Sequence, residues 1–505
     1  MSLTDPNVIP ESVAHPPVSG PQKHPRGLYT LFFTEMWERF SYYGMRALLV
    51  LFMVDAVRGG MHMDDKTATA IYGLYTAAVY LMSLPGGWFA DRLWGAQRAV
   101  WYGGIAIALG HFTLALPWAQ TFYLGLIFVV VGSGTLKPNM SGLVGELYPE
   151  GGARRDAGFT IFYMGVNIGA AIGPFVCGWL AQAMGWHWGF AAAGVGMILG
   201  LIQFRLSRHL LGEAGIRPGN ENPLHISERM LLGGGMLACA LVLVIGMAGW
   251  LHFNPVVLAH GMAYVILAIA VIFFAYAFLF CHLDKIEKQR VAMILVLFLA
   301  SALFWAGFEQ AGSSFNLFAE RYTARILHLG EIHWEVPAAW FQMLGPVFII
   351  SFAPVFAWLW VWLARRNLEP SLPVKFALGL LMLGAGFVVM AGAARVVISG
   401  HKAWPTWLIM TYLLHTFGEL CLSPVGLSSV TKLAPRKLAG QMMGIWFLAT
   451  SLGDLLAGLI AGEFNPDTIQ NWPHLFLKII VLAAATGILL IVFSKPVKRL
   501  TAGVK

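Results

Sequence analysis

Long apolar runs follow one another along almost the whole chain and limit what it can fold into. Fourteen runs can be laid out between residues 28 and 494, and most have the roughly 20 residues that a helix needs to cross a bilayer. Only 11% of the residues are charged, whereas about a quarter are charged in soluble domains. The sequence therefore predicts an all-α integral membrane protein with 14 transmembrane helices.

Two polar segments, at 205–229 and 284–290, divide the runs into groups of six, two and six. We expect a disordered tail over 1–27, a six-helix bundle over 28–207, a linker with two additional transmembrane helices over 208–290, a second six-helix bundle over 291–494 and a tail over 495–505. The predicted runs are 28–57, 66–90, 99–118, 121–147, 156–183, 187–207, 230–251, 257–283, 291–320, 335–364, 373–398, 404–432, 437–462 and 472–494.

Basic residues are concentrated at one set of helix ends. In this layout 23 Lys and Arg residues lie on the side that holds both termini, and six lie on the other side: Arg58, Lys66, Arg321, Arg325, Arg395 and Lys402. Cytoplasmic loops are enriched in Lys and Arg, so both termini are expected in the cytoplasm. The net charge of +8 could indicate a nucleic-acid partner, but the basic residues are concentrated at one set of helix ends. The predicted partner is therefore the lipid bilayer, with no nucleic acid.

Neither a cofactor nor a metal site is expected. The four cysteines lie in apolar runs without CxxC or Cys/His spacing, at Cys177, Cys239, Cys281 and Cys421. That placement indicates packing rather than disulfides or metal ligation. The sequence also lacks HExxH spacing, a Gly-rich phosphate loop and a nucleophile elbow, which disfavours the common hydrolytic and nucleotide-binding chemistries.

The loop between the second and third runs is GGWFADRLWGAQR, residues 86–98. Its Gly86, Asp91, Arg92, Gly95 and Arg98 resemble the loop signature of the major facilitator superfamily. The resemblance implies two six-helix bundles with a binding site near the midplane between them. The alternative is that this loop is only a basic cytoplasmic segment in which the glycines allow the chain to turn. The corresponding loop of the second half, LARRNLEPSLPVK, keeps only the basic pair.

The first run carries four charges, Glu35, Glu38, Arg39 and Arg46. At about 100° per residue all four fall on one helix face, together with Tyr42. A charge at the bilayer centre costs at least about 2.5 kcal/mol. This face is therefore expected to line a wet cavity in which the charges offset one another.

Polar residues of other runs lie at matching depths. Counted at about 1.5 Å per residue from the cytoplasmic ends, Glu38 and Lys137 lie about 15 Å deep, Asn167 about 16 Å and Glu419 about 18 Å. These depths permit the four side chains to converge near the midplane from both halves.

Arg46 and Glu309 lie deeper, at about 27 Å, and could bridge the halves on the outer side. The alternative is that Glu35 and Glu38 only neutralise the arginines of their own helix as i, i+3 and i+4 pairs. That interpretation does not explain the charges on the other runs.

Further motifs follow in a fixed order: EMWERFSYYGMR at 35–46, GSGTLKPNMSGLVGELY at 132–148, FYMGVNIGAAIGP at 162–174, FWAGFEQAGSSF at 304–315 and GELCLSPVGLSSVTKLAP at 418–435. Together they resemble the ExxER motif and the fourth-, fifth-, seventh- and tenth-helix motifs of the proton-dependent oligopeptide transporter (POT/PTR) family, bacterial type. The similarity covers nearly the whole chain after the tail. The two central runs resemble the extra helix pair of bacterial members.

The resemblance implies a secondary active transporter, not an enzyme, that imports di- and tripeptides with protons by alternating access. Arg39 and Lys137 would bind the peptide carboxylate, and Asn167 and Glu419 its amino terminus. The remaining substrate-binding residues implied are Tyr42, Tyr43, Tyr75, Trp305, Ser423 and Trp446.

Proton coupling needs a group whose charge changes with conformation, and a carboxylate near Arg39 and the peptide carboxylate suits this task, with Glu35 or Glu38 first and Glu309 second. Glu35, Glu38 and Glu309 would couple protons, and Arg46 with Glu309 would form a gating salt bridge. The proton gradient would be the energy source, without a cofactor. The resemblance further implies a monomer, and the helix count and the short tail indicate a bacterial inner membrane.

Two departures from the family pattern bear on the substrate and the proton. Gly345 precedes Pro346 where many members have Asn, which removes one expected contact to the peptide amino group and leaves Gln342 or water as a substitute. Gly73 stands where animal relatives have a proton-handling His, so protons would be handled by carboxylates. Transport of another small anion or zwitterion, such as nitrate, and a membrane enzyme or sensor remain the alternatives.

Overall fold

The computed structural model describes residues 23–150, 152–216, 253–329, 332–464 and 466–501, with isolated positions between 230 and 246. Eleven helices of these residues are long and apolar enough to cross a membrane. The predicted all-α membrane fold is therefore confirmed. The run at 230–251 and most of the tail at 1–27 lie outside the described residues, so the count of 14 helices stays a prediction.

Six long helices form the first half of the molecule. They are α1 (Gly27–Val54), α2 (Asp65–Phe89), α3 (Ala96–Leu114), α4 (Ala119–Glu146), α5 (Gly152–Met184) and α6 (Trp186–Ser207). Helix α2 continues into a π-helical turn at Ala90–Trp94 and stops at Gly95, whose φ of 74° favours glycine. The loop at 86–98 thus ends one helix and begins the next.

Helix α7 (Pro255–Phe280) precedes the second half. The second half consists of α8 (Lys285–Phe308), α9 (Ser314–Tyr322), α10 (Leu344–Arg365), α11 (Leu372–Ile398), α12 (Pro405–Leu433), α13 (Ala439–Ala461) and α14 (Trp472–Val492), followed by a short α15 (Ser494–Arg499). Asp284 and Glu287 form a capping box at the start of α8, which satisfies backbone N–H groups that lack helical partners.

The run predicted as one helix at 291–320 is broken. A 3-10 turn at Glu309–Gly312 separates α8 from α9. Gly312, Ser313 and Ser314 are weaker helix formers than the residues before them, and Gly312 lets the Tyr72 ring of the first half pack against the turn. The break therefore occurs where the two halves touch.

The run predicted at 335–364 is also shorter than expected. An antiparallel hairpin of β1 (Ile326–Leu329) and β2 (Ile332–Glu335) comes first, with Ile326 opposite Glu335. Pro337 then disfavours helical geometry in the residue before it, and a 3-10 turn at Ala338–Met343 leads into α10. Each strand has only four residues and lies next to a long apolar run, so the sequence pattern did not predict the hairpin.

Helices α2 and α13 cross antiparallel and join the two halves. A Cβ built on Gly458 would lie 2.5 Å from the Thr69 carbonyl oxygen and 2.7 Å from the Gly73 Cα. Two turns away, Ser451 Oγ donates to the Ala77 carbonyl oxygen at 3.0 Å. Glycine allows this close backbone approach, as is common between membrane helices.

Replacing Gly458 with Leu should destabilise the protein by about 1–3 kcal/mol, because the new side chain would meet backbone atoms of α2 that cannot move aside. The matched control is Gly440→Leu on the same helix, where a Cβ would meet no described atom within 4 Å. Thermal unfolding in detergent should show a lower midpoint for Gly458→Leu only. Equal midpoints for the two variants would contradict the close crossing.

Candidate functional site

Arg39 is surrounded by the acidic residues of its own helix. Its Nε lies 3.0 Å from Glu35 Oε1 and 2.5 Å from Glu38 Oε2, and all three side chains are buried. Among the described residues neither Nε nor Nη2 of Arg39 has an aligned hydrogen bond. The guanidinium is thus compensated in charge, yet it keeps donors that a bound anion can use.

Lys137 approaches this cluster from α4. Its Nζ lies 4.0 Å from the centroid of the Tyr80 ring, and it is close enough to interact electrostatically with Arg39 and Glu38. One turn earlier on α4, Ser133 Oγ donates to Glu38 Oε1 at 3.4 Å. The charged face of α1 therefore points toward α4, and two cations lie near two carboxylates.

Asn167 and Glu419 approach from α5 and α12. Asn167 Nδ2 donates to the Tyr163 carbonyl oxygen at 2.9 Å, which leaves its amide oxygen as an acceptor. Glu419 is half-buried and lies within electrostatic reach of Tyr163 and Tyr43 in the first half. A carboxylate of the second half thus lies near the polar face of the first.

Aromatic residues form two groups beside these charges. Tyr42 stacks with Tyr75 at a centroid distance of 6.3 Å and meets Tyr43 edge-on at 5.2 Å. In the second half Trp305 packs on Phe308 and Trp446 on Phe376. Buried polar atoms without a hydrogen-bond partner among the described residues include Tyr75 Oη, Trp305 Nε1 and Ser423 Oγ.

Arg46 and Glu309 form a buried salt bridge between the halves, through Nη2 and Oε2. Arg46 Nε also donates to Tyr72 Oη at 2.6 Å. Close by, Asn316 Nδ2 donates to the Ala47 carbonyl oxygen at 2.8 Å. The two residues that were placed at one depth from sequence are therefore in contact, and the contact joins α1 to the turn after α8.

A surface network covers this bridge on the side opposite the chain termini, which we call the distal side. Arg321 binds Asp65 through two hydrogen bonds of 2.6 and 2.8 Å. Lys66 pairs with Glu463 at 3.2 Å, and Arg58 with Glu320 at 3.3 Å. Each pair links the first half to the second, so the molecule is closed distally.

Asp55 shapes the turn that follows α1 on this side. Partial burial acts to raise the pKa of Asp55, but hydrogen bonds from the Trp186 indole and from the backbone N–H groups of Val57 and Arg58 outweigh it and hold the pKa below its ordinary value. The ionised carboxylate is therefore the form that organises the turn.

A POT family model matches residues 97–474 of the chain. The chain belongs to the POT family. It is 44% identical over 495 residues to a peptide transporter of Yersinia enterocolitica subsp. palearctica, covering 94% of this chain and 95% of the relative. It is 34% identical to a di-/tripeptide transporter of Lactococcus lactis subsp. cremoris, with 95% and 97% covered.

The fold of this POT family member also matches a solved structure. A mutant peptide transporter in complex with alafosfalin superposes with a TM-score of 0.86 at 40% identity, covering 96% of this chain and 97% of that one. The predicted family and its major facilitator fold are confirmed. The roles of individual residues remain predictions.

Three residues beside these charged groups were missed from sequence. Tyr72 and Tyr80 lie on α2 and contact Arg46 and Lys137 respectively, but aromatic residues in membrane helices are too common to single out. Asp454 on α13 is 1% exposed. An acidic residue inside a predicted membrane run is a recognisable functional signal, and this signal was overlooked.

Tyr72→Phe should weaken the distal closure, because Tyr72 Oη accepts from Arg46 Nε and so orients Arg46 toward Glu309; leaving that buried donor unsatisfied in the closed arrangement costs about 1–3 kcal/mol. The fraction of molecules that are open on the distal side should rise about fivefold or more. Hydrogen–deuterium exchange of the amides in 309–322 measures this rise. The control is Tyr75→Phe, since that hydroxyl has no hydrogen-bond partner among the described residues; matching exchange in both variants would contradict a specific role of Tyr72.

Proposed function

We propose that this POT family member is a symporter that uses the proton gradient to import di- and tripeptides by alternating access. One observation carries the proposal: cations of the first half, Arg39 and Lys137, and an anion of the second half, Glu419, lie around one region between the halves. Every peptide with unmodified termini has one carboxylate and one ammonium. Fixed charges of both signs therefore suit the whole class, whatever the side chains.

The peptide carboxylate would bind Arg39 and Lys137. A guanidinium can hold a carboxylate through two parallel hydrogen bonds, whereas an ammonium acts as a point charge. The buried Nη2 of Arg39 has no partner among the described residues and is suited to this task. The incoming carboxylate would then compete with Glu35 and Glu38 for Arg39.

The amino terminus would bind Glu419 and the amide oxygen of Asn167. Gly345 offers no side chain here, and a Cβ built on it would meet no described atom within 4 Å. Nearby Gln342 has a buried Nε2 without a hydrogen-bond partner in the described part of the chain. Its amide oxygen can substitute for the missing Asn, and the open space favours water or a bulkier peptide.

The peptide side chains would lie among aromatic and small polar residues. These are Tyr42, Tyr43 and Tyr75 of the first half, with Trp305, Ser423 and Trp446 of the second. Large rings tolerate many apolar shapes, and the unpartnered Tyr75 Oη, Trp305 Nε1 and Ser423 Oγ can each bond a peptide polar group. Such a lining supports broad selectivity.

Protons would act at two places in this account. A proton on Glu35 or Glu38 would release Arg39 to bind the peptide carboxylate. A proton on Glu309 would remove the charge that holds Arg46 and would let the distal side open. Each protonation changes the relative free energies of two arrangements: Arg39 held or released, and the distal side closed or open. It therefore shifts the populations of these arrangements.

The distribution of basic residues supports an orientation with both termini in the cytoplasm. The distal side would then face outward, and the described arrangement would be the outward-closed one. The relatives come from bacteria, which supports a bacterial cytoplasmic membrane, the inner one where there are two. One copy of the chain contains every residue to which a role is given above, so the proposed transporter works as a monomer.

The direct test is uptake of labelled dialanine by purified protein in liposomes. With an inward proton gradient and a membrane potential, the peptide should accumulate above equilibrium, and an uncoupler should abolish the accumulation. Glu38→Gln should lose this accumulation and keep peptide exchange, because a neutral amide cannot carry the proton.

Lack of both accumulation and exchange in folded protein would overturn the peptide assignment. Chemical alteration of the peptide would favour a membrane enzyme. Binding of the peptide without uptake would favour a sensor. Undiminished accumulation in Glu38→Gln would exclude Glu38 as the essential proton carrier, and Glu35 and Glu309 would follow as targets.

A further inference from the structure

Asp454 lies on the face of α13 that packs against α2. Ser451, one turn before it, donates to the Ala77 carbonyl oxygen of α2. Gly458, one turn after it, meets Gly73 of α2 backbone to backbone. Residues spaced in this way share one helix face, so Asp454 lies within the contact between the two halves.

The carboxyl group of Asp454 is buried and lacks a close ion pair with any described residue. Its residue is 1% exposed, and Oδ1 has no hydrogen-bond partner among the described residues. No Lys or Arg of the described residues forms a salt bridge with it at 4.0 Å or less. An unpaired ionised carboxylate in such a place is costly, whereas the neutral acid is tolerated.

Charged and titratable groups of four neighbouring elements surround Asp454 at longer range. They interact with it electrostatically and are Arg46 on α1, Tyr72 and Tyr80 on α2, Lys137 on α4 and Glu309 in the turn after α8. Both cations belong to the first half, whereas Asp454 belongs to the second. A movement of one half against the other therefore changes the distance from Asp454 to both cations.

We propose that Asp454 is a proton-binding residue of the transport cycle, separate from Glu309 and from the carboxylates of α1. The inference rests on the proposed proton-coupled function and adds a site between the distal bridge and Lys137. When the distal side is open, hydronium in the entering water gives its proton to the Asp454 carboxylate, and water is left.

The distally closed arrangement described here is the proton-loaded one, which is why no Lys or Arg of the described residues forms a close salt bridge with Asp454. When the halves next move, Asp454 approaches Lys137 or Arg46. Its O–H bond breaks, the proton passes to water on the side of the termini, and the carboxylate pairs with the cation. The proton thus crosses with the peptide, and α13 links its release to the movement of the halves.

The test compares Asp454→Asn with Asp467→Asn, a control at an exposed carboxylate beyond the same helix. Both variants are measured in liposomes for dialanine exchange without a gradient and for the number of protons that enter per peptide. Asp454→Asn should keep exchange within about twofold of the unmodified protein, and it should carry one proton fewer per peptide. Asp467→Asn should match the unmodified protein in both measurements.

An unchanged proton number in Asp454→Asn overturns the inference, and so does loss of exchange together with coupling, which would assign Asp454 to packing. A second measurement does not depend on transport. Infrared spectra of the unmodified protein at neutral pH should show a carbonyl stretch of a protonated carboxylic acid that is missing in Asp454→Asn. Identical spectra overturn the inference even if the chain carries no dialanine, whereas failure of dialanine uptake by the unmodified protein overturns only the proposed function.

Discussion

The cost of placing two arginines in a membrane helix governs the rest of this structure. Arg39 and Arg46 lie on one face of α1, and both are buried. Arg39 is compensated by Glu35 and Glu38 of its own helix, whereas Arg46 is compensated by Glu309 of the other half. A buried ion pair is costly to break from one side. The bridge between Arg46 and Glu309 therefore joins the halves through a carboxylate whose charge a single proton can remove.

Close backbone contact and ion pairs hold the halves together in different ways. The crossing of α2 and α13 at Gly73 and Gly458 is a close steric fit about which the two halves can turn. Distal ion pairs such as Lys66 with Glu463 and Arg58 with Glu320 are exposed or partly exposed, so water can replace them at modest cost. This contrast suits a rocking movement in which the distal surface separates while small residues keep the helices close.

Much of this arrangement could be predicted from sequence because bilayer crossing imposes strong patterns. The charged face of α1 and the shared depth of Arg46 and Glu309 follow from helical geometry and the cost of charge in lipid. The break at Glu309–Gly312 and the hairpin before α10 could not be predicted, because tertiary contacts with Tyr72 and a turn at Pro337 override the apolar pattern. Asp454 gave a readable signal, but its place against α2 required the structure.

The central claim is that charges from the two halves recognise the two ends of one peptide. Its most direct test is competition for exchange by dialanine, N-acetyl-dialanine and dialanine amide, in the unmodified protein and in Glu419→Gln. The account predicts that Glu419→Gln removes most of the preference for dialanine over the N-acetyl form and retains the preference over the amide. Lys478→Met, which alters an exposed charge on α14, should change neither preference. Equal preferences in Glu419→Gln and the unmodified protein would contradict the account.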